Sequence, residues 1–453
     1  MKRLLIVLIA LVAVFALVLP AGAVELKFGG LFAQKVYSTN NQHNGDDSTD
    51  DNTNWFYTRM RLYFTGVASE NLKVVSKFEI DDFWGNGRLG SLSADGGSNN
   101  DSAGMEIKNA YIDFIVPDTT LNIKMGIIGA KLDKPGLVFN DDTSGILASY
   151  KVDEFSFAAL YSRLGDSNDI GPTSTITPTN SGDDVDIWAF MVHYKMEAAY
   201  AQFNFAWINN NDQFGGSDDP GSDFDLYVVS IDGDYKTDMF SVYGDVAMNF
   251  GENKQVAPSS DFKGYALMGG GLFNVDDTIA VGADIYYVTG NKDGKEDTDA
   301  FITAGAPAGL NVYNMDEVIF PGWFDDDTST INGGLGVANT NNITSTGLGT
   351  NAGYCLNNIM AFGVHGDFKP LEKTFVQVGG AWMAFVEDVD SDGDGDADDD
   401  SLGYSFYARL SQGVVDGLTL KATAGYFVAD DGFSPNNNDD DAYRLALGLF
   451  WSW

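Results

Sequence analysis

Trp55–Asp81 reads WFYTRMRLYFTGVASENLKVVSKFEID. Taken two residues at a time, Phe56, Met60, Leu62 and Phe64 fall on one face and Tyr57, Arg59, Arg61 and Tyr63 on the other. A polar turn, Ala68–Asn71, follows, and the pattern restarts with Leu72, Val74, Phe78 and Ile80 against Lys73, Lys77, Glu79 and Asp81. Period two is the mark of a β-strand, whose successive side chains point to opposite faces of the sheet. One such hairpin fits a soluble sheet as well. What decides the fold is recurrence: the unit returns along the whole chain, with tight turns alternating with long polar loops, the pattern of a transmembrane β-barrel.

The flanks agree. Residues 1–23, MKRLLIVLIALVAVFALVLPAGA, carry a positive start at Lys2 and Arg3, an apolar run and an A-x-A cleavage site, which reads as a secretory signal peptide. The barrel domain is then expected over 24–453. No later apolar run is long enough for a spanning helix. A formal charge of -39 argues against nucleic acid as a partner, since its phosphates would be repelled. The lone Cys355 excludes an intrachain disulfide framework and a cysteine-built metal site.

Counted along the chain, the period-two segments predict about 18 antiparallel strands, with 16 as the alternative. The first spans Val24–Tyr37 and the last Asp441–Trp453. Short turns fall at one end and long loops at the other, so with the N-terminus in the periplasm the long loops are external. Two loops stand out. Gly129–Ser144 carries Leu132, Leu137, Val138 and Phe139, which need burial. It is expected to fold into the lumen with those residues on the wall and Asp141 and Asp142 toward the pore. Asn291–Tyr354 is the longest and carries an apolar patch that includes Val318. At the other extreme, Tyr443, Leu445, Leu447, Leu449, Trp451 and Trp453 alternate to the last residue. An apolar alternation ending in an aromatic resembles the signal read by the outer-membrane assembly machinery, although a terminal Trp replaces the usual Phe.

The stretches RMRLYFTGVASENLKVVSKFEI (59–80), EIKNAYIDFIVPDTTLNIKMGIIG (106–129) and FNDDTSGILASYKV (139–152) resemble the homotrimeric outer-membrane porins of sulfate-reducing and related Gram-negative bacteria. The resemblance implies an outer-membrane homotrimer of water-filled barrels, each with its third external loop folded inward. Here that loop would be Gly129–Ser144.

Period two also sorts the lumen. Lys27, Lys35, Arg59, Arg61, Lys73, Lys77, Lys124, Arg409, Lys421 and Arg444 read as inward, and closure of the last strand on the first joins most of them into one basic wall. Asp245 and Asp284 read as inward acids that would form, with Asp141 and Asp142, the opposite side. Such a transverse field orients dipolar solutes and filters by charge; lumen charges merely solvated by water are the plainer alternative. Acidic external loops add a negative mouth and predict a weak cation preference. Asp388, Asp390, Asp392 and Asp399 follow D-x-D-x-D-G spacing, so the external loop 388–400 is a candidate calcium site, against a merely solvated acidic loop. Calcium bridging to lipopolysaccharide phosphate needs no fixed site. No cofactor is required. His43, His193 and His365 lie far apart, with no serine at a suggestive spacing from the inward pair, so no enzyme is expected. The leading function is a porin for passive diffusion of ions and small hydrophilic solutes. A substrate-selective channel and a closed structural or adhesive barrel are the alternatives. The inward Tyr57, Tyr63 and Tyr111 are too scattered to form a sugar slide.

Overall fold

In the computed structural model every period-two segment becomes a strand paired on both sides. The structure describes residues 24–41, 53–84, 104–134, 136–166, 184–211, 223–253, 260–290, 299–302, 315–318, 358–389, 399–430 and 440–453. The strands are β1 (Glu25–Asn40), β2 (Thr53–Ser69), β3 (Leu72–Phe83), β4 (Gly104–Ile115), β5 (Leu121–Lys131), β6 (Asn140–Val152), β7 (Phe155–Asp166), β8 (Asp184–Lys195) and β9 (Ala199–Asn211). They continue as β10 (Asp223–Lys236), β11 (Phe240–Asn253), β12 (Tyr265–Asn274), β13 (Ile279–Val288), β14 (Ile359–Leu371), β15 (Thr374–Val389), β16 (Asp399–Val415), β17 (Leu418–Ala429) and β18 (Ala442–Ser452). A two-residue ladder, Ser260–Asp261, caps the end of β11. The barrel is thus the 18-strand solution of the two that the sequence allows.

Each strand pairs antiparallel with its neighbours, and β1 closes the ring on β18 from Leu31 opposite Ser452 to Asn40 opposite Tyr443. Closure leaves no sheet edge and satisfies every ladder internally, as a membrane span without helices requires. The alternation is visible in burial. On β18, Leu445, Leu447, Leu449 and Trp451 are 46 to 49 % exposed and face outward, while Ala442, Arg444 and Ala446, of the opposite parity, are buried. This apolar exterior, exposed to solvent in an isolated chain, is what lipid covers.

Short turns join the strands at one end. Asp153 takes φ 50° in the turn from β6 to β7, and Asp118 takes φ 60° in the turn from β4 to β5. Between β12 and β13 the Asp276 carboxylate accepts from the Thr278 and Ile279 amides and the Thr278 hydroxyl. Those three donors hold its carboxyl below the ordinary carboxylate range.

Two departures from the expected register matter for the interior. Between β3 and β4, Lys77 stands opposite Asn109 but Phe78 opposite Ile107, so Lys108 is an extra, bulged residue. Period two, broken there, does not mark Lys108 as interior. The second departure is at β6, expected to start at Gly145. Its ladder with β5 begins at Asn140 opposite Lys131, so the inward connection shortens to residues 132–139.

Candidate functional site: a charge-divided barrel interior

Of the basic residues named from the sequence, Lys35, Arg59, Arg409 and Arg444 are buried, and carboxylates are interleaved among the set. Arg59 is 2 % exposed and donates through Nε and Nη2 to both Asp81 oxygens at 2.8 and 2.7 Å. Arg61 pairs with Glu79. Lys108, delivered by the bulge, lies 3.8 Å from Glu79. Lys73 faces Asp113 across the β3–β4 ladder. Lys27 is different: it sits near the turn end, more than half exposed, 3.7 Å from Glu25.

The inward aromatics, which looked scattered in the sequence, stand beside cations. Lys35 lies 5.1 Å from the Tyr57 ring centroid, Lys77 5.5 Å from Tyr63, Lys124 5.6 Å from Tyr111 and Lys421 4.9 Å from Phe450. Arg444 stacks over Tyr37 at 5.0 Å and Arg409 over Tyr407 at 4.5 Å. Ring faces carry partial negative charge and hold cations at low desolvation cost. The aromatics therefore back the basic wall.

The main negative partner of that wall comes from the longest loop. Residues Met315–Val318 lie inside the barrel and are buried. Glu317 is fully buried, 2.6 Å from Arg409 Nε and 3.2 Å from Arg444 Nη1. Arg409 also donates to the Asp316 carbonyl at 3.1 Å and to Gln377 Oε1 at 2.7 Å. Ser405 donates to Asp316 Oδ1 at 2.5 Å. Two wall glycines make room: a Cβ at Gly363 would stand 2.8 Å from Met315, and one at Gly425 2.7 Å from Val318. Burial raises the Glu317 carboxyl above its ordinary value, and the two guanidinium groups work against that rise. Sequence reading missed this segment because loops carry no period. Its signal, in retrospect, is an acid pair set beside Met315 and Val318.

Half-way round the ring, nine strands from β1, lies the acidic side. Asp232 on β10 and Asp245 on β11 are register partners and both buried. Asp284 on β13 accepts from Tyr243 Oη at 2.5 Å and lies 3.2 Å from His365 Nε2. The other His365 nitrogen, Nδ1, lies 3.0 Å from Asp367. Asp245 and Asp284, read from the sequence as inward acids, are both buried.

The short inward connection packs on this side. Leu132, Leu137, Val138 and Phe139 are at most 1 % exposed, as their apolar character requires. The buried Asp133 carboxylate holds the turn by accepting from the amides of Gly136, Leu137, Val138 and Phe139. Gln202 donates to the Leu132 carbonyl, and Lys134 reaches Asp234 on β10. The expectation for Asp141 and Asp142 is corrected. Both are ladder residues of β6 rather than the tip of an inserted loop; Asp142 binds Lys108 at 3.1 Å and Asn109 at 2.7 Å. The carboxylates that the inward segments bring into the barrel are Asp133, Asp316 and Glu317.

Of the calcium candidates, Asp388 is the penultimate residue of β15 and Asp399 begins β16, while Asp390 and Asp392 lie outside the described residues, as does His43. His193 bonds to Tyr200 at 3.2 Å, away from His365.

Set beside known proteins, residues 7–306 match the model of the Gram-negative porin family. No curated protein matches the sequence. Among solved structures, Pseudomonas aeruginosa OpdO superposes with a TM-score of 0.55 at 11 % identity, over 95 % of this chain and 97 % of that one. A BenF-like porin from Pseudomonas fluorescens Pf-5 gives 0.54 at 10 % identity, over 95 and 99 %. Pseudomonas aeruginosa OccK2 (OpdF) in complex with glucuronate gives 0.53 at 10 % identity, over 94 and 98 %. At such identities the likeness is one of fold.

Proposed function

The chain belongs to the Gram-negative porin family, an outer-membrane channel for small solutes, and on that premise we propose that it sorts diffusing ions and small hydrophilic solutes by charge. The observation that carries the reading is the division of the interior. Buried Arg409, Arg444, Lys35 and Arg59, each beside an aromatic ring, lie on β16, β18, β1 and β2, and the buried carboxylates Asp232, Asp245 and Asp284 lie half-way round on β10, β11 and β13. A field across a water-filled lumen aligns dipolar solutes and discriminates by charge without a saturable site. In this reading Lys35, Arg59, Arg61, Arg409, Lys421 and Arg444 form one pole and Asp245 and Asp284 the other. The inward segments 132–139 and 315–318 narrow the path between them.

We further propose a homotrimer, export directed by the 1–23 segment, insertion guided by the C-terminal strand through the barrel assembly machinery, and external loops in contact with lipopolysaccharide and outer-membrane lipid. Calcium on the 388–400 loop remains a proposal from spacing alone. We assign no catalytic role. A selective channel is the second reading, favoured by the two inward segments, each of which sets a charge on the wall of opposite sign.

Single-channel recording of purified protein in a planar bilayer tests the proposal. Ohmic openings in steps of three, with a reversal potential displaced by a salt gradient, are expected. Folded, heat-modifiable protein without conductance would contradict it.

A further inference from the structure

The carboxylates of the acidic side differ in what they present to the lumen. Asp232, Asp245 and Asp284 are only 1 or 2 % exposed, so they meet no permeating ion directly. One further carboxylate, on the next strand round, is not sealed. Asp367 follows His365 by two residues on β14, and period two puts both on the inner face. The Asp367 side chain is 14 % exposed, against 4 % for His365.

The neighbours of Asp367 hold it in one orientation. Its Oδ1 lies 3.0 Å from His365 Nδ1 and accepts from Gln377 Nε2 at 2.8 Å. Gln377 is its register partner on β15 and is itself buried. The Gln377 amide does not turn over, because its Oε1 accepts from Arg409 Nη1 at 2.7 Å and a flip would set donor against donor. The imidazole is fixed in turn. Its Nε2 lies 3.2 Å from Asp284 Oδ2. The register partner of His365 on β13 is Gly282, where a Cβ would collide with that nitrogen. Both bonds of the Asp367 carboxylate fall on Oδ1, which leaves Oδ2 for the lumen.

Its charge is not cancelled on the wall. One imidazole, even protonated, offsets only one of the two carboxylates it touches. Arg409, on the far side of Gln377, is already taken by Glu317. Lys369, two residues further along the same face, is exposed and acts on Asp367 through space.

We infer that Asp367 is the selectivity-determining carboxylate of the acidic side, with Oδ2 as the atom that meets permeating cations. It acts on an ion across lumen water alone, whereas Asp245 acts through the wall. The inference deepens the channel reading and rests on it for the ions that pass.

The test is the zero-current potential in a planar bilayer under a potassium chloride gradient, read beside thiol accessibility. Asp367→Asn is expected to lower the cation-to-anion permeability ratio about twofold, the size of a unit charge acting across several ångströms of water. Asp367→Glu keeps the charge and should hold the ratio near wild type. Asp245→Asn makes the same charge change at a sealed position and should lower the ratio less. A ratio indifferent to Asp367→Asn, or moved as far by Asp245→Asn, would overturn the inference. Asp367→Cys, with the only native cysteine removed by Cys355→Ser, checks the exposure without any current. In the folded, detergent-solubilised full-length chain that thiol should react with 2-aminoethyl methanethiosulfonate, read as a gain in mass. Asp245→Cys in the same background should stay unreacted. An unreactive position 367 would overturn the inference. A reactive one in a protein without conductance would refute the channel reading and leave the exposed carboxylate standing.

Discussion

The two inward segments, 132–139 and 315–318, solve one problem in opposite ways. Each brings a charge of its own to a wall of opposite sign: Lys134 to the acidic side and Glu317 to the basic side. Glu317 is fully buried between two arginines that are themselves 5 and 3 % exposed, whereas Lys134 is more than half exposed. The 132–139 turn is held by its own backbone around Asp133, and Lys134 reaches out from it to Asp234 and the Tyr200 ring. The 315–318 segment is instead held largely by the wall, through Arg409, Arg444 and Ser405. What the difference teaches is that the basic pole receives a buried counter-charge from its inserted segment, whereas the acidic side receives its inserted cation only at an exposed pair.

That contrast can be broken from either end. The largest effect is expected from Glu317→Gln, which leaves two buried guanidinium groups without their counter-charge. Breaking a buried pair in this way costs roughly 3–5 kcal/mol. The segment should leave the wall, hydrogen exchange at 315–318 should rise, and single-channel conductance should increase. Unchanged exchange would mean that the wall does not hold it. Asp133→Ala comes next, since its carboxylate accepts from four amides. Loss of charge-assisted hydrogen bonds worth about 1.5–3 kcal/mol each should raise amide exchange over 136–139 and leave 315–318 protected.

Gly425→Leu sharpens the steric part of the comparison. A Cβ there stands 2.7 Å from Val318, and overpacking costs about 1–3 kcal/mol, so a conductance gain in the same direction as Glu317→Gln but smaller is expected. The smallest effect belongs to neither segment. Asp276 has a depressed carboxyl in the folded turn, so its contribution to stability is present above its unfolded value and lost as pH falls through the folded one. Asp276→Ala should therefore flatten the acid limb of the thermal-stability profile while the neutral limb moves little; an identical slope in the variant would refute the assignment.

Much of this was legible in the sequence, and the boundary is physical. The strands, their closure and the inward basic residues follow from period two, because in a barrel one face meets lipid and the other water. Tyr57, Arg59, Arg61 and Tyr63 fall inward for that reason. Lys108 was hidden because a bulge breaks the period. Asp141 and Asp142 were misplaced because a polar start to β6, NDDTS, reads as loop until its pairing with β5 is seen. Burial of Leu132, Leu137, Val138 and Phe139 could be foreseen, since four apolar side chains in a loop need cover. Insertion of Glu317 between Arg409 and Arg444 could not, because it depends on contacts across 92 and 127 residues of chain.

The zero-current potential of the wild-type channel under a potassium chloride gradient tests the central contrast most directly. If Glu317 offsets the basic pole, the channel selects cations, and Glu317→Gln moves the potential toward anion selectivity. An anion-selective wild-type channel, or a potential indifferent to Glu317→Gln, would contradict the account.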